Sequence, residues 1–134
     1  MQSQKLLIGA IYRTPGANNA IIDHQDSNSL QKLDEFGAHS VMLVGDFNVH
    51  HTDWLGSHTT DTGERQMPRL ANCLGLEQTV DEPTRGNQIL DLVLTDLPTT
   101  SITLANVGTS DHNPVLVIKR DVPAIRDKPY ERKV

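Results

Sequence analysis

Apolar residues fall in short runs separated by polar turns, and their spacing switches between the strand and helix periods. Residues 5–12, K-L-L-I-G-A-I-Y, are almost continuously apolar and too short for a helix, which predicts a strand buried on both faces. Thr14, Pro15 and Gly16 end it with turn chemistry. Over residues 28–36, Leu30, Leu33 and Phe36 recur at threefold spacing and predict an amphipathic helix. Asp26 or Ser27 would cap it and Gly37 would stop it, while Ile21 and Ile22 leave its start open. Residues 41–45 form a second buried strand that runs into Asp46-Phe47-Asn48. Residues 49–63 are polar and rich in His, Thr, Asp and Gly, a long loop of the kind that usually carries function. Met67, Leu70, Ala71 and Leu74 then take helical spacing. Pro68 is tolerated in a first turn near Met67, and Gly75 is the stop. A strand at 89–95 has a carboxylate, Asp91, inside it; a weaker strand covers 102–107 and a clear one 115–118. The loose alternation of strands and helices predicts a layered α/β domain.

At 134 residues the chain makes one domain with a core of its own. No apolar run reaches the length of a bilayer span, so no membrane partner is expected. Residues 1–8 show no secretory h-region. The lone Cys73 excludes an internal disulfide or a zinc site of cysteines, and a reducing, intracellular setting fits. Net charge is −5, but residues 119–134 carry a local +3 and the remainder −8. An acidic body that handles phosphates needs a divalent metal to neutralise their approach. The stretch from 121 to 134, with two prolines and alternating charge, reads as a polar linker or tail.

Three polar clusters sit against the apolar strands. In Gly45-Asp46-Phe47-Asn48 a strand delivers a carboxylate at its C-terminal end, where ligand sites of α/β sheets gather; a simple Asp/Asn turn explains it equally well. Ser110-Asp111-His112 pairs a possible cation ligand with an imidazole suited to developing negative charge. Alone, it reads more readily as a polar turn before the strand that follows Pro114. Asp91 is flanked by apolar residues on both sides, so its carboxylate calls for a partner, and a histidine it orients is the natural one. His50, His51, Asp53 and His58 match no zinc spacing and read as a solvated loop, and Trp54 either stacks on a base or anchors that loop. There is no phosphate-binding glycine loop, dinucleotide fingerprint or nucleophile elbow.

Taken in order, I-G-A-I-Y-R-T-P-G at 8–16, L-V-G-D-F-N at 43–48, L-D-L-V-L-T-D at 90–96 and V-G-T-S-D-H-N-P-V at 107–115 resemble the endonuclease/exonuclease/phosphatase superfamily, the deoxyribonuclease I-like group. With P-T-R at 83–85 and the tail R-D-K-P-Y-E-R-K-V, the chain looks most like the endonuclease domain of non-LTR retrotransposon polyproteins, where the tail leads towards a reverse transcriptase. The resemblance implies a metal-dependent phosphodiesterase acting on DNA with Mg2+ or Mn2+, in the nucleus. It implies that Asp46 activates or positions the attacking water and that Asn48 holds that water and a phosphate oxygen. His112 would stabilise charge on phosphorus and be held by Asp91, Asp111 would lie at the metal, and Tyr12 would touch the scissile phosphate.

The family domain has an earlier half carrying an Asn and a metal-binding Glu, and the match here opens at the later half. The expectation is therefore the later half of a two-sheet, four-layer α/β sandwich, partial over 1–120, with the N-terminal half absent and an exposed inner face. Such a piece is expected to bind metal weakly, to show little activity and to aggregate. Two other readings stand beside it: the same superfamily acting on a non-DNA phosphoester, and a non-catalytic remnant.

Overall fold

A computed structural model describes residues 4–16, 32, 35–49, 71, 72 and 74–120. Six strands appear among them: β1 (Leu6–Tyr12), β2 (Ser40–Asp46), β3 (Glu77–Gln78), β4 (Asp91–Thr95), β5 (Thr99–Thr103) and β6 (Val115–Lys119). They form a four-stranded sheet in the order β1-β2-β4-β3 and a two-stranded sheet of β5 and β6. β1 runs parallel to β2, while β4 runs antiparallel to both β2 and β3.

The expected strand at 5–12 is present, but it is not buried on both faces. β1 is an edge strand whose residues alternate between exposed and half-buried, with Leu6, Ile8 and Tyr12 open to solvent. The doubly buried strand is β4, whose last four residues are all buried because both its faces are covered, whereas β2, expected as a second buried strand and also flanked on both sides, is only half-buried. An apolar run marks a strand that could be doubly buried, and only the packing of other layers on its two faces decides which one is. The strand expected at 102–107 lies earlier, at Thr99–Thr103, because Ser101 and Thr99 face inward and hydroxyls substitute for the apolar signal. Ser101 and Thr79 share a 2.6 Å hydroxyl contact that fastens the two sheets. The two-residue β3 has no sequence signature of its own.

Leu92 and Leu94 of β4 join Phe47, Val49, Leu76, Val80 and Ile89 in the core. Val115 and Val117 of β6 pack against that core from the second sheet. Both glycine stops occur. Lys32, Glu35 and Phe36 are helical before Gly37, and Ala71, Asn72 and Leu74 before Gly75, each glycine with positive φ. At the second, Leu76 N–H donates to the Ala71 carbonyl and Gly75 N–H to Asn72, the paired bonds that close a helix end. Leu30, Leu33, Met67 and Leu70, the loop residues His50, His51, Asp53, Trp54 and His58, and the tail from 121 lie outside the described residues. No helix among the described residues is long and apolar enough to cross a membrane.

Candidate active site

The site is built on a single row across three strands. Tyr12 of β1 is in register with Asp46 of β2, and Asp46 with Asp91 of β4. Register partners share a face, so the three side chains leave the sheet on the same side, at the C-terminal end of β1 and β2. Gly45 makes this possible. Its φ is +146°, and a Cβ placed there would sit 1.8 Å from the Ile11 carbonyl oxygen. Only glycine lets β2 press this closely against β1 just before Asp46.

Beyond Asp46 the chain turns sharply. Asn48 is a buried non-glycine residue at φ +46°, and its N–H donates to Asp46 Oδ1 at 3.1 Å. Arg13, directly after Tyr12, holds the turn from the other side. Its N–H donates to the Asp46 carbonyl at 2.8 Å, and its guanidinium Nη1 donates to the carbonyls of Phe47 and Asn48 at 3.3 and 2.9 Å. Asn48 returns a bond from Nδ2 to the Arg13 carbonyl at 2.7 Å. The Asn48 side chain thus ties down the turn with its amide nitrogen.

Asp46 and Asp91 face each other on antiparallel neighbours, and a hydrogen-bonding side chain fits between the two carboxylates. His112 lies there. Its Nδ1 is 2.7 Å from Asp91 Oδ2, and its Nε2 is 3.8 Å from Asp46 Oδ2. The partner expected for Asp91 is therefore this imidazole. The described residues bring together Asp46, Asp91 and His112 with one ligand atom each, all within 4.8 Å of one another and all half-buried. Two carboxylates and an imidazole form a donor set of the kind that divalent cations take.

Asp111 stands apart from that group. It is exposed, its Oδ2 pairs with Arg85 Nη2 at 2.7 Å, and its Oδ1 comes no nearer than 4.0 Å to His112 Nε2. Tyr12 is 71% exposed at the end of the row, available to a ligand lying across it. The loop ahead of β6 is braced by Asn106, whose Nδ2 donates to the Ser110 carbonyl, and by Ser110 Oγ, which accepts from His112 N–H. The residues 83–88 pack against this loop and against β4, with Thr84 wholly buried between them. Neither Arg13 nor Thr84 stood out as chemistry in the sequence, because both act on backbone atoms, which carry no residue signature. Beside the site, an open apolar cavity of about 300 Å³ is lined by Val44, Leu92, Val93, Pro114, Val115 and Val117.

Comparison with known proteins sets this geometry in context. A family model described as "Endonuclease-reverse transcriptase" matches residues 6–116. Among solved structures, the endonuclease domain of TRAS1, a telomere-specific non-LTR retrotransposon, is similar with a TM-score of 0.63 and 20% identity. The match covers 81% of this chain and 55% of that one, so this chain spans about half the length of the solved domain. At that identity the likeness concerns the fold, and it agrees with the two-sheet α/β architecture expected from the motifs. No curated protein matches.

Proposed function

We propose, from the premise that the chain belongs to the endonuclease-reverse transcriptase family, that it carries the phosphodiester-hydrolysing residues of a metal-dependent DNA endonuclease. The observation that supports this best is the meeting of Asp46, His112 and Asp91 at one end of the central strands. A water placed against Asp46 gives up a proton to that carboxylate as its oxygen attacks phosphorus. The bond from phosphorus to the leaving oxygen breaks, and that oxygen takes a proton from solvent. His112 presents Nε2 to the oxygens on which negative charge gathers, while Asp91 fixes the ring through Nδ1. Asn48 keeps the Asp46 turn in place and, through the rest of its amide, meets water or a phosphate oxygen. Tyr12 touches the phosphate from the exposed end of the row. Mg2+ or Mn2+ would be held beside this group through carboxylate oxygens, Asp111 among them once released from Arg85, which leaves both ring nitrogens of His112 to Asp91 and the phosphate. Bound there, the cation would neutralise the phosphate and favour ionisation of water.

The natural setting of this chemistry is a polyprotein with a reverse transcriptase domain, acting on nuclear DNA. The test is relaxation of supercoiled plasmid by the purified chain with Mn2+ or Mg2+. Nicking that chelator stops, and that Asp46→Ala and His112→Ala each reduce by about 100-fold or more, is the expected result. Full activity in either variant overturns the assignment. No cleavage at any metal concentration overturns the enzymatic reading and leaves the non-catalytic one.

A further inference from the structure

We infer that Thr84, through its buried hydroxyl, is the positioning residue that sets the Asp91–His112 pair. Thr84 is 0% exposed, so it cannot meet a substrate. Its Oγ1 accepts two backbone bonds, from Leu90 N–H and Asp91 N–H, both at 3.1 Å. Its carbonyl accepts from Asn113 N–H at 2.6 Å. One residue therefore grips the backbone of Asp91 on one side and the residue after His112 on the other. The neighbours reinforce the grip. Asn113 Nδ2 donates to the Pro83 carbonyl at 3.2 Å, and Arg85 reaches Asp111 at 2.7 Å.

The bonds within the turn point the same way. Thr84 N–H and Arg85 N–H both donate to the Gln88 carbonyl, and Gln88 N–H returns a bond to Arg85, so residues 84–88 close as one rigid loop. Asp91 begins β4 and His112 precedes β6, and these two strands belong to different sheets. The 2.7 Å contact between the side chains depends on how the two strand entrances are held relative to each other. Thr84 is where that spacing is fixed. Valine has nearly the shape of threonine but offers no acceptor, so Thr84→Val leaves two buried N–H groups without partners and frees the Asp91 backbone to shift. The consequence for catalysis rests on the nuclease reading; the consequence for the pair does not.

The experiment compares wild type, Thr84→Val, Thr84→Ser and Asp91→Asn by imidazole nitrogen NMR, which separates a ring with Nδ1–H held by a carboxylate from a ring exchanging its proton. The expected result is that Thr84→Val moves the His112 ring signals towards those of Asp91→Asn and that Thr84→Ser, which keeps the hydroxyl, restores the wild-type signals. In the nicking assay the Val variant is expected to lose roughly 10–100-fold in kcat with KM unchanged. Wild-type ring signals in a folded Thr84→Val overturn the proposal. If the Val variant does not unfold cooperatively, Thr84→Ala takes its place, removing the same acceptor from Leu90 and Asp91 N–H: shifted His112 signals support the role and unshifted ones overturn it. A wild-type chain that never cleaves DNA defeats the nuclease reading but leaves the NMR comparison fully informative.

Discussion

Gly45 carries the sharpest constraint in the molecule at the scale of one residue. A methyl group there would lie inside the Ile11 carbonyl, and no rotation of a flexible side chain relieves the clash. Gly45→Ala is expected to cost about 3 kcal/mol or more in urea denaturation and to displace Asp46. Gly86 is the internal control, since its φ of +57° also favours glycine but a Cβ there meets open space. Gly86→Ala is expected to cost only about 1 kcal/mol. If the two variants were equally stable, the close approach of β2 to β1 would be wrong. Much of the site was visible in the residues themselves. Asp91 stood out because a carboxylate among leucines and valines demands a partner such as a histidine, while the choice of His112 came from the family resemblance. Thr84 and Arg13 sat within the quoted motifs without a role, because a hydroxyl or guanidinium that serves carbonyls and amides does not announce its chemistry.

At the scale of elements, the apolar runs located β1, β2, β4 and β6 well, yet they said nothing of which strand would be central. That property belongs to the pairing order and to what covers each face, a matter of contacts between residues far apart in the chain. Coverage makes β4 buried on both faces, leaves β2 half-buried although it too is central, and leaves β1 fully buried on neither face. The end of β1 is joined to the turn after β2 by Arg13, which makes the element junction a prediction in itself. Arg13→Ala removes donors to the Phe47 and Asn48 carbonyls and is expected to destabilise the chain by about 1–3 kcal/mol. Arg13→Lys, with a single ammonium in place of the planar fork, recovers only part of that. The shift in denaturation midpoint measures both, and a neutral Arg13→Ala would show that the turn holds itself.

For the whole molecule, the uneven covering of the four-stranded sheet matters most. The second sheet lies over Val93 beside Val115 and Val117, while Leu6, Ile8 and Tyr12 on the same face stay exposed. Ile102, Leu116 and Ile118 are likewise more than two-fifths exposed on β5 and β6. An apolar face on a strand with one paired neighbour among the described residues favours association. Sedimentation velocity is expected to show self-association that grows with concentration, and Ile8→Lys is expected to weaken it. A strictly monomeric wild type at high concentration would contradict the exposure of that face.

The strand order has a last consequence, which concerns the moment of synthesis. β2 lies between β1 and β4, so its first edge finds a partner already made, whereas its second edge waits for residues 91–95. A ribosome adding about 5–20 residues per second takes roughly 2–9 s to travel from Asp46 to Asp91. Through that interval the emerging chain presents the edge of V-M-L-V-G unpaired. The time for which a nascent chain needs a chaperone at that edge is set by the length of chain between the two carboxylates.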